Sequence, residues 1–263
     1  MKLSCDVVKI NRFDKFLDFI HASSPRYFKN KKGELEQYNF TVKNDLEKKP
    51  SHIKEFMKTV AIKNKIPYLL NQVHSDQIFC LKDLSQTQNQ VSKINADALI
   101  THLNETPIGV FTADCLPVLL CDTRLRVVAA IHAGRKGTQK SIVNKTIMAM
   151  KREYGCQPKD MVAGMGPGIG GCCYEVDQAC LNLFEKKVPY ASPFVKKKKN
   201  GKILLDLFAI NIKQTLDAGL LFENIFQSGE CTFCSPTNYF SYRREGHTGR
   251  ILTFIMLQKS GLT

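Results

Sequence analysis

The chain has 263 residues, 43% of them hydrophobic and 24% charged, with ten cysteines and a formal charge of +14. The length suits one large domain or two small ones, with a core that needs no disulfide support. The cysteine spacing excludes a small disulfide scaffold, and no apolar run nears the roughly 18 residues that a membrane helix needs.

Met1-Lys2 leads into a stretch, Leu3 to Phe19, that is broken by Asp6, Lys9, Arg12, Asp14, Lys15 and Asp18 and is unlike a signal peptide. The expectation is a soluble, cytoplasmic protein whose thiols are reduced and mostly buried. The N-terminal third is polar and irregular, with clusters at Lys29–Glu36 and Lys43–Lys54. Strand-like apolar segments follow at Pro67–Val73, Ala96–Thr101, Ile108–Thr112, Pro117–Cys121 and Val127–Ile131. A helix is predicted from a Thr138 cap through Ile142, Val143, Ile147 and Met148 to a stop at Gly155. Lys196 to Lys199, followed by Asn200-Gly201, reads as an exposed hairpin tip, because like charges repel and Asn-Gly favours a tight turn. A second helix is capped by Asp206, carries Leu207, Ile210 and Leu216 inward and ends at Gly219, leaving Asn211, Lys213, Gln214 and Asp217 for water. A final strand spans roughly Arg250–Met256. Strands and helices mixed without an internal linker predict a single α/β domain over residues 1–263.

The positive charge attracts anions: nucleic acid, acidic lipid surfaces or phosphorylated small molecules. A nucleic-acid binder would show one continuous basic stripe. Here the basic residues are scattered, as on a solvated surface, and the densest cationic loops sit beside histidine and cysteine.

Three segments carry chemistry. His74 follows Pro67–Val73, at a strand end and so at a sheet rim. Thr112-Ala113-Asp114-Cys115-Leu116-Pro117 sets an aspartate beside a cysteine between two apolar runs, where an unpaired carboxylate is costly. In Ala129–Thr138 an apolar strand runs into His132, then Gly134-Arg135-Lys136-Gly137, then a helix start. The glycines admit a close backbone approach, and the helix dipole with two cations makes an anion site with a histidine on its lip. Singly, each has a plainer reading: a satisfied histidine, a buried thiol, a turn with solvated cations. Two imidazoles and a thiolate suit zinc, and three protein ligands leave a fourth position open, as catalytic sites do. Spacing alone does not bring His74, Cys115 and His132 together.

Arg243 and Arg244 form a pair suited to phosphate oxygens, or a surface cluster around Glu245; Tyr239, Phe240 and Tyr242 offer rings for stacking on a base. Gly166-Pro167-Gly168-Ile169-Gly170-Gly171 matches a dinucleotide fingerprint in form. However, Cys172 to Val176 reads as strand rather than helix, and a lysine-rich stretch stands where the acidic residue belongs. Cys231-Thr232-Phe233-Cys234 is a single Cys-x-x-Cys with no second pair nearby, so a zinc ribbon is unsupported and a redox role is the least economical reading.

Taken in order, several motifs resemble one family. They are Gln72-Val73-His74, Ala96 to Thr101, Thr112 to Leu120, His132-Ala133-Gly134, Gly166 to Gly170, Tyr174-Glu175-Val176 and Cys231-Thr232-x-Cys234. The last is Phe240-Ser241-Tyr242-Arg243-Arg244 through Thr248-Gly249-Arg250. The set, spanning roughly residues 67–256, resembles the multicopper polyphenol oxidase (laccase-type) family, also described as purine nucleoside phosphorylases of the YfiH and YlmD type. The resemblance implies a layered α/β/β/α sandwich with mixed sheets, and one metal site made of His74, Cys115 and His132. The metal is Zn2+ or, under the family's earlier label, Cu2+. It also implies phosphorolysis of adenosine, inosine and methylthioadenosine and hydrolytic deamination of adenosine, with nucleoside and phosphate as partners of a monomer or homodimer. On that reading Lys136 holds phosphate, with Arg243 or Arg244 as second choice, and Asp114 accepts a proton or orients a ligand histidine. Copper-dependent phenol oxidation and peptidoglycan-precursor editing are the alternatives. A conventional copper cluster needs more histidines than the two of six that fall in matched motifs. Where the family usually has His-Ala-Gly-Trp-Arg-Gly, this chain has Arg135-Lys136: lysine keeps the charge but loses the bidentate fork, and the indole is gone.

Overall fold

Every position of Ile108–Thr112, Leu116–Asp122 and Val127–Ala133 is buried, so these strands must be covered on both faces. The computed structural model describes residues 5–13, 16, 18–38, 40 and 50–259. Its strands are β1 (Phe19–Ser23), β2 (Tyr27–Lys29), β3 (Leu35–Gln37), β4 (Ile78–Leu81), β5 (Ala98–Thr101), β6 (Ile108–Thr112) and β7 (Leu116–Asp122). They continue as β8 (Val127–Ala133), β9 (Met161–Met165), β10 (Glu175–Val176), β11 (Val195–Lys197), β12 (Ile203–Leu205), β13 (Ile225–Gln227) and β14 (Ile251–Leu257). The helices are α1 (Pro50–Thr59), α2 (Gln88–Val91), α3 (Arg135–Gln139), α4 (Ile142–Tyr154), α5 (Gln178–Lys187), α6 (Leu207–Asp217) and α7 (Tyr242–Glu245).

The large sheet has six strands in the order β13-β9-β7-β8-β5-β4, parallel at β13/β9 and β4/β5 and antiparallel elsewhere. A three-stranded antiparallel sheet, β1-β14-β6, lies against it. Period-two alternation sorts the side chains into layers. Leu99, Leu119, Val128 and Ala130 face Ile108, Val110, Ile255 and Leu257 between the sheets. On the outer face of the large sheet, Val118, Leu120, Ala129 and Ile131 pack against Ile142, Val143, Ile147 and Met150 of α4. On the far side of the small sheet, Leu252, Phe254 and Met256 meet Ile53, Phe56 and Met57 of α1. Each of these side chains larger than alanine stabilises the fold by about 1.5–3 kcal/mol. The result is the expected layered α/β/β/α arrangement with a mixed sheet. No helix among the described residues is long and apolar enough to cross a membrane.

Local departures have physical causes. Helix α1 lies within the stretch read as irregular; residues 43–49 of that stretch fall outside the described residues. Pro67–Val73 makes only single bridges, Tyr68 to Ile108 and Asn71 to Asn95, rather than a strand. The helix expected from Thr138 is broken at Ser141, which sits in the left-handed region at φ 57°, so α4 starts at Ile142 and stops at Gly155 as predicted. Thr138 caps nothing; its hydroxyl and carbonyl accept the side-chain amides of Asn211 and Gln214 at 3.0 and 2.9 Å. Those two residues of α6 are therefore buried and not turned to water, Leu216 is only half-buried, and Met148 is exposed. The Asp206 cap holds, accepting the Ala209 N–H at 3.0 Å. The lysine block does sit at the β11–β12 hairpin, with Gly201 at φ 80°. All ten cysteines are unpaired, yet only Cys121 and Cys156 are fully buried, against the expectation of mostly buried thiols.

Candidate active site and metal centre

The β7/β8 register pairs Pro117 with His132, and the β5/β8 register pairs Ala98 with Ile131. The first residue before β7, Cys115, therefore lies beside the end of β8, and Asp97, just before β5, lies on its other side. The His132 amide donates to the Asp97 carbonyl at 2.8 Å, and the His132 Nδ1–H donates to the Asp97 carboxylate at 2.7 Å. The same carboxylate accepts the amides of Val73 and His74 at 3.3 and 3.0 Å and the Ser75 hydroxyl at 2.7 Å. Asp97 thus draws the loop before β4 down onto the strand ends and holds His74 at φ 57°, a left-handed conformation uncommon for a side chain with Cβ.

The three donors converge. Cys115 Sγ lies 3.8 Å from His74 Nε2, the two imidazoles stand edge-on with centroids 4.7 Å apart, and all three ligand atoms fall within 4.8 Å of one another. His132 is buried and His74 exposed, so the site opens on one side. Electrostatics favours a charge-separated pair. Burial opposes the Cys115 thiolate, yet the neighbouring His132 cation, with hydrogen bonds from both histidines, lowers it to about 6. Burial likewise opposes the His132 cation, but the Cys115 charge and the Asp97 hydrogen bond raise it to about 9. Two imidazoles and a ready thiolate around one open side are a donor set that fits zinc. Gly134 makes room for it, since a Cβ there would meet Cys115 Sγ at 2.8 Å.

Two cavities flank the donors. One, of about 330 Å³, is lined by His74 and Cys115 together with Arg135, Lys136, Arg243, Tyr174 and Tyr242. The other, of about 270 Å³, shares His74, Cys115 and Tyr242 and adds Gln72, Phe111, Thr112, His132 and Arg250. Lys136 and Arg243, the expected anion holders, both line the first cavity. Arg135 lines the same cavity, one residue before Lys136.

Two further expected residues, Arg244 and Asp114, are held by local hydrogen bonds, and Asp114 also lines the first cavity. Arg244 is spent on the backbone: its guanidinium donates to the carbonyls of Thr232, Phe233 and Tyr239 at 2.7–2.8 Å, and it pairs with Glu245. Asp114 orients no histidine, because that role belongs to Asp97. Its oxygens accept the Thr232 hydroxyl at 2.7 Å and the Arg243 amide at 2.6 Å, and its backbone sits at φ 86°. It braces the Arg243 segment beside the cavity. Arg243 also lies over the Tyr174 ring at 5.1 Å and donates to the Glu175 carbonyl. Asp97 and Tyr174 were present in the sequence only as motif members. An aspartate inside the apolar run Ala96–Thr101 carried the same signal as Asp114.

The glycine-rich Gly166–Gly171 segment is followed by a turn and β10, not a helix, so it lacks the dinucleotide geometry.

A family model described as multi-copper polyphenol oxidoreductase laccase matches residues 21–258. A purine nucleoside phosphorylase of Clostridium acetobutylicum is 35% identical over 253 residues, covering 95% of this chain and 99% of that protein. Another, from Aquifex aeolicus, is 34% identical over 195 residues, covering 74% of this chain and 84% of that protein. Among solved structures, YfiH of Bacillus licheniformis has a TM-score of 0.83 at 24% identity, with 97% of each chain covered. YlmD from Geobacillus stearothermophilus matches with the same TM-score and identity over 98% of each chain. These two likenesses concern the fold.

Proposed function

Because the chain belongs to the multi-copper polyphenol oxidoreductase laccase family and has relatives named purine nucleoside phosphorylase, we propose that it is a zinc-dependent purine nucleoside enzyme. Its reactions are phosphorolysis of adenosine, inosine and methylthioadenosine, and deamination of adenosine. The observation that carries this reading is the pair of cavities meeting at His74 and Cys115, one walled by Arg135, Lys136 and Arg243, the other by Phe111 and Gln72.

The division of labour follows from the linings. Three cations gather phosphate where its oxygen attacks C1′ and the C1′–N9 bond breaks, giving ribose 1-phosphate and free purine. Tyr174, Tyr242 and Phe111 supply ring faces for the base and sugar. Gln72 is fixed for the task, exchanging two 2.8 Å hydrogen bonds with the Phe111 backbone. Asp97 keeps the His132 ring turned toward Cys115. A zinc ion held by His74, Cys115 and His132 would supply Lewis-acid polarisation.

Copper chemistry of the conventional multinuclear kind is disfavoured by where the histidines lie. Among the described residues only His74 and His132 share a metal-binding group; His21, for one, is buried elsewhere, its Nε2 accepting the Ile10 amide at 3.0 Å.

Incubation with adenosine, with and without phosphate, separates the reactions. Adenine and ribose 1-phosphate, formed only with phosphate, report phosphorolysis; inosine and ammonia report deamination. If neither product set forms with zinc-loaded protein, or Cys115→Ala retains full turnover and metal, the assignment fails.

A further inference from the structure

The Cys231–Cys234 pair, isolated in the sequence, has a partner in the fold. After β9 the chain curls so tightly that the amides of Cys173 and Tyr174 both donate to the Gly170 carbonyl, at 2.9 and 3.0 Å. That turn brings the adjacent Cys172 and Cys173 onto the loop after β13. A bridge between Gly168 and Cys231, and the Thr232 amide donating to the Gly168 carbonyl at 3.0 Å, fasten the two loops side by side.

The four sulfurs lie within 4.8 Å of one another, with Cys173 to Cys234 at 3.3 Å and Cys172 to Cys234 at 3.8 Å. Thiolates about 2.3 Å from a tetrahedral ion are about 3.8 Å apart, so the quartet already has the span of a four-sulfur site. A disulfide would need about 2.05 Å, and would use two sulfurs while leaving two idle. The Cys231 sulfur also accepts backbone N–H groups, from Gly170 at 3.2 Å and from Cys234. Amides aimed at sulfur stabilise a thiolate ligand. Cys172 and Cys234 are exposed, which gives an ion a path from solvent.

We propose that Cys172, Cys173, Cys231 and Cys234 form a second metal site, a closed tetrathiolate that holds one zinc ion in a structural role. The thiols release their protons to solvent as the ion binds. With four protein ligands it offers no open position for substrate, in contrast to the first site. It clips together the loops that carry Tyr174 and Glu175, on which Arg243 rests, and Thr232, which holds Asp114. The cationic wall of the larger cavity is thereby stiffened from behind.

The test is a metal count on the full chain, purified in reductant without added metal, by elemental mass spectrometry. The expected ratio is about two zinc ions per chain, falling to about one in Cys231→Ser and in Cys234→Ser. The double variant His74→Ala/Cys115→Ala removes the other ion, so each site is counted in the absence of its neighbour. Loading that double variant with cobalt gives a signal independent of activity, the strong thiolate-to-cobalt absorption of an all-sulfur tetrahedron. A wild-type ratio of about one that the serine variants leave unchanged overturns the proposal, as does a cobalt-loaded double variant without the thiolate band. Should variants fail to fold, mercurial titration of the wild-type protein decides: release of about two zinc ions supports the second site, and release of about one overturns it.

Discussion

At Asp97 a single buried carboxylate answers the His132 ring and the backbone of the loop that bears His74. Asp97→Asn keeps the volume but removes the charge, and zinc affinity should fall about 10–100-fold in a chelator competition titration. Asp97→Ala leaves buried donors unanswered and should cost about 3–5 kcal/mol in urea unfolding. The Cys115–His132 pair gives a second measurement. With Cys115 lowered to about 6 and His132 raised to about 9, the metal-free pair is charge-separated between those values. The Cys115 contribution to stability is lost as pH falls through about 6, and that of His132 is lost as pH rises through about 9. Alkylation of Cys115 in chelator-stripped protein, followed by peptide mass spectrometry, should have its midpoint near pH 6; a midpoint at the ordinary thiol value near 9.0 would refute the pairing. In the sequence, His74, Cys115 and His132 are suitable donors that each have a plainer reading, and the family resemblance joined them into one set. A buried carboxylate announces only that it has partners, so Asp114 and Asp97 looked alike until strand register placed one of them beside His132.

Between β8 and α3 the chain passes Gly134 at φ −75°, a conformation open to any residue. The constraint there is space, because an added methyl would press on Cys115 and on His74 Cδ2 at 3.1 Å. Gly134→Ala should therefore leave far-ultraviolet circular dichroism unchanged while overpacking the donors by about 1–3 kcal/mol, read as weakened zinc binding. Undiminished zinc affinity would show that the donors relax freely. Strands β5 to β8 were legible because burial on both faces makes each an uninterrupted apolar run. Helix α1 was not, since Ile53, Phe56 and Met57 are spaced for one helical face but sit in a lysine-rich stretch. Nor was the break at Ser141, because Thr138 and Ser141 are both residue types that cap helices, and Thr138 is engaged instead by Asn211 and Gln214 of α6.

For the molecule as a whole, a bound ion stabilises the fold by mass action. At free zinc about a hundredfold above Kd the gain is about 2.7 kcal/mol, so saturated protein should melt about 5–10 °C above chelator-treated protein in a scanning calorimeter. An unchanged Tm would mean that the metal-free fold gains nothing from its donors. The layered architecture could be expected from the alternation of strands and helices together with the family resemblance, but the pairing of the sheets could not, since it joins residues far apart in the chain. That pairing has a bearing on synthesis. Strand β14 is the middle strand of the small sheet, seated between β1 and β6, and it is the last strand of the chain among the described residues. A nascent chain on the ribosome thus carries His74, Cys115 and His132 long before it can close the layer covering the large sheet. Until Ile251–Leu257 emerges, the inner faces of β5 to β8 stay open to solvent and to other chains, which makes this interval the one in which a chaperone is most needed.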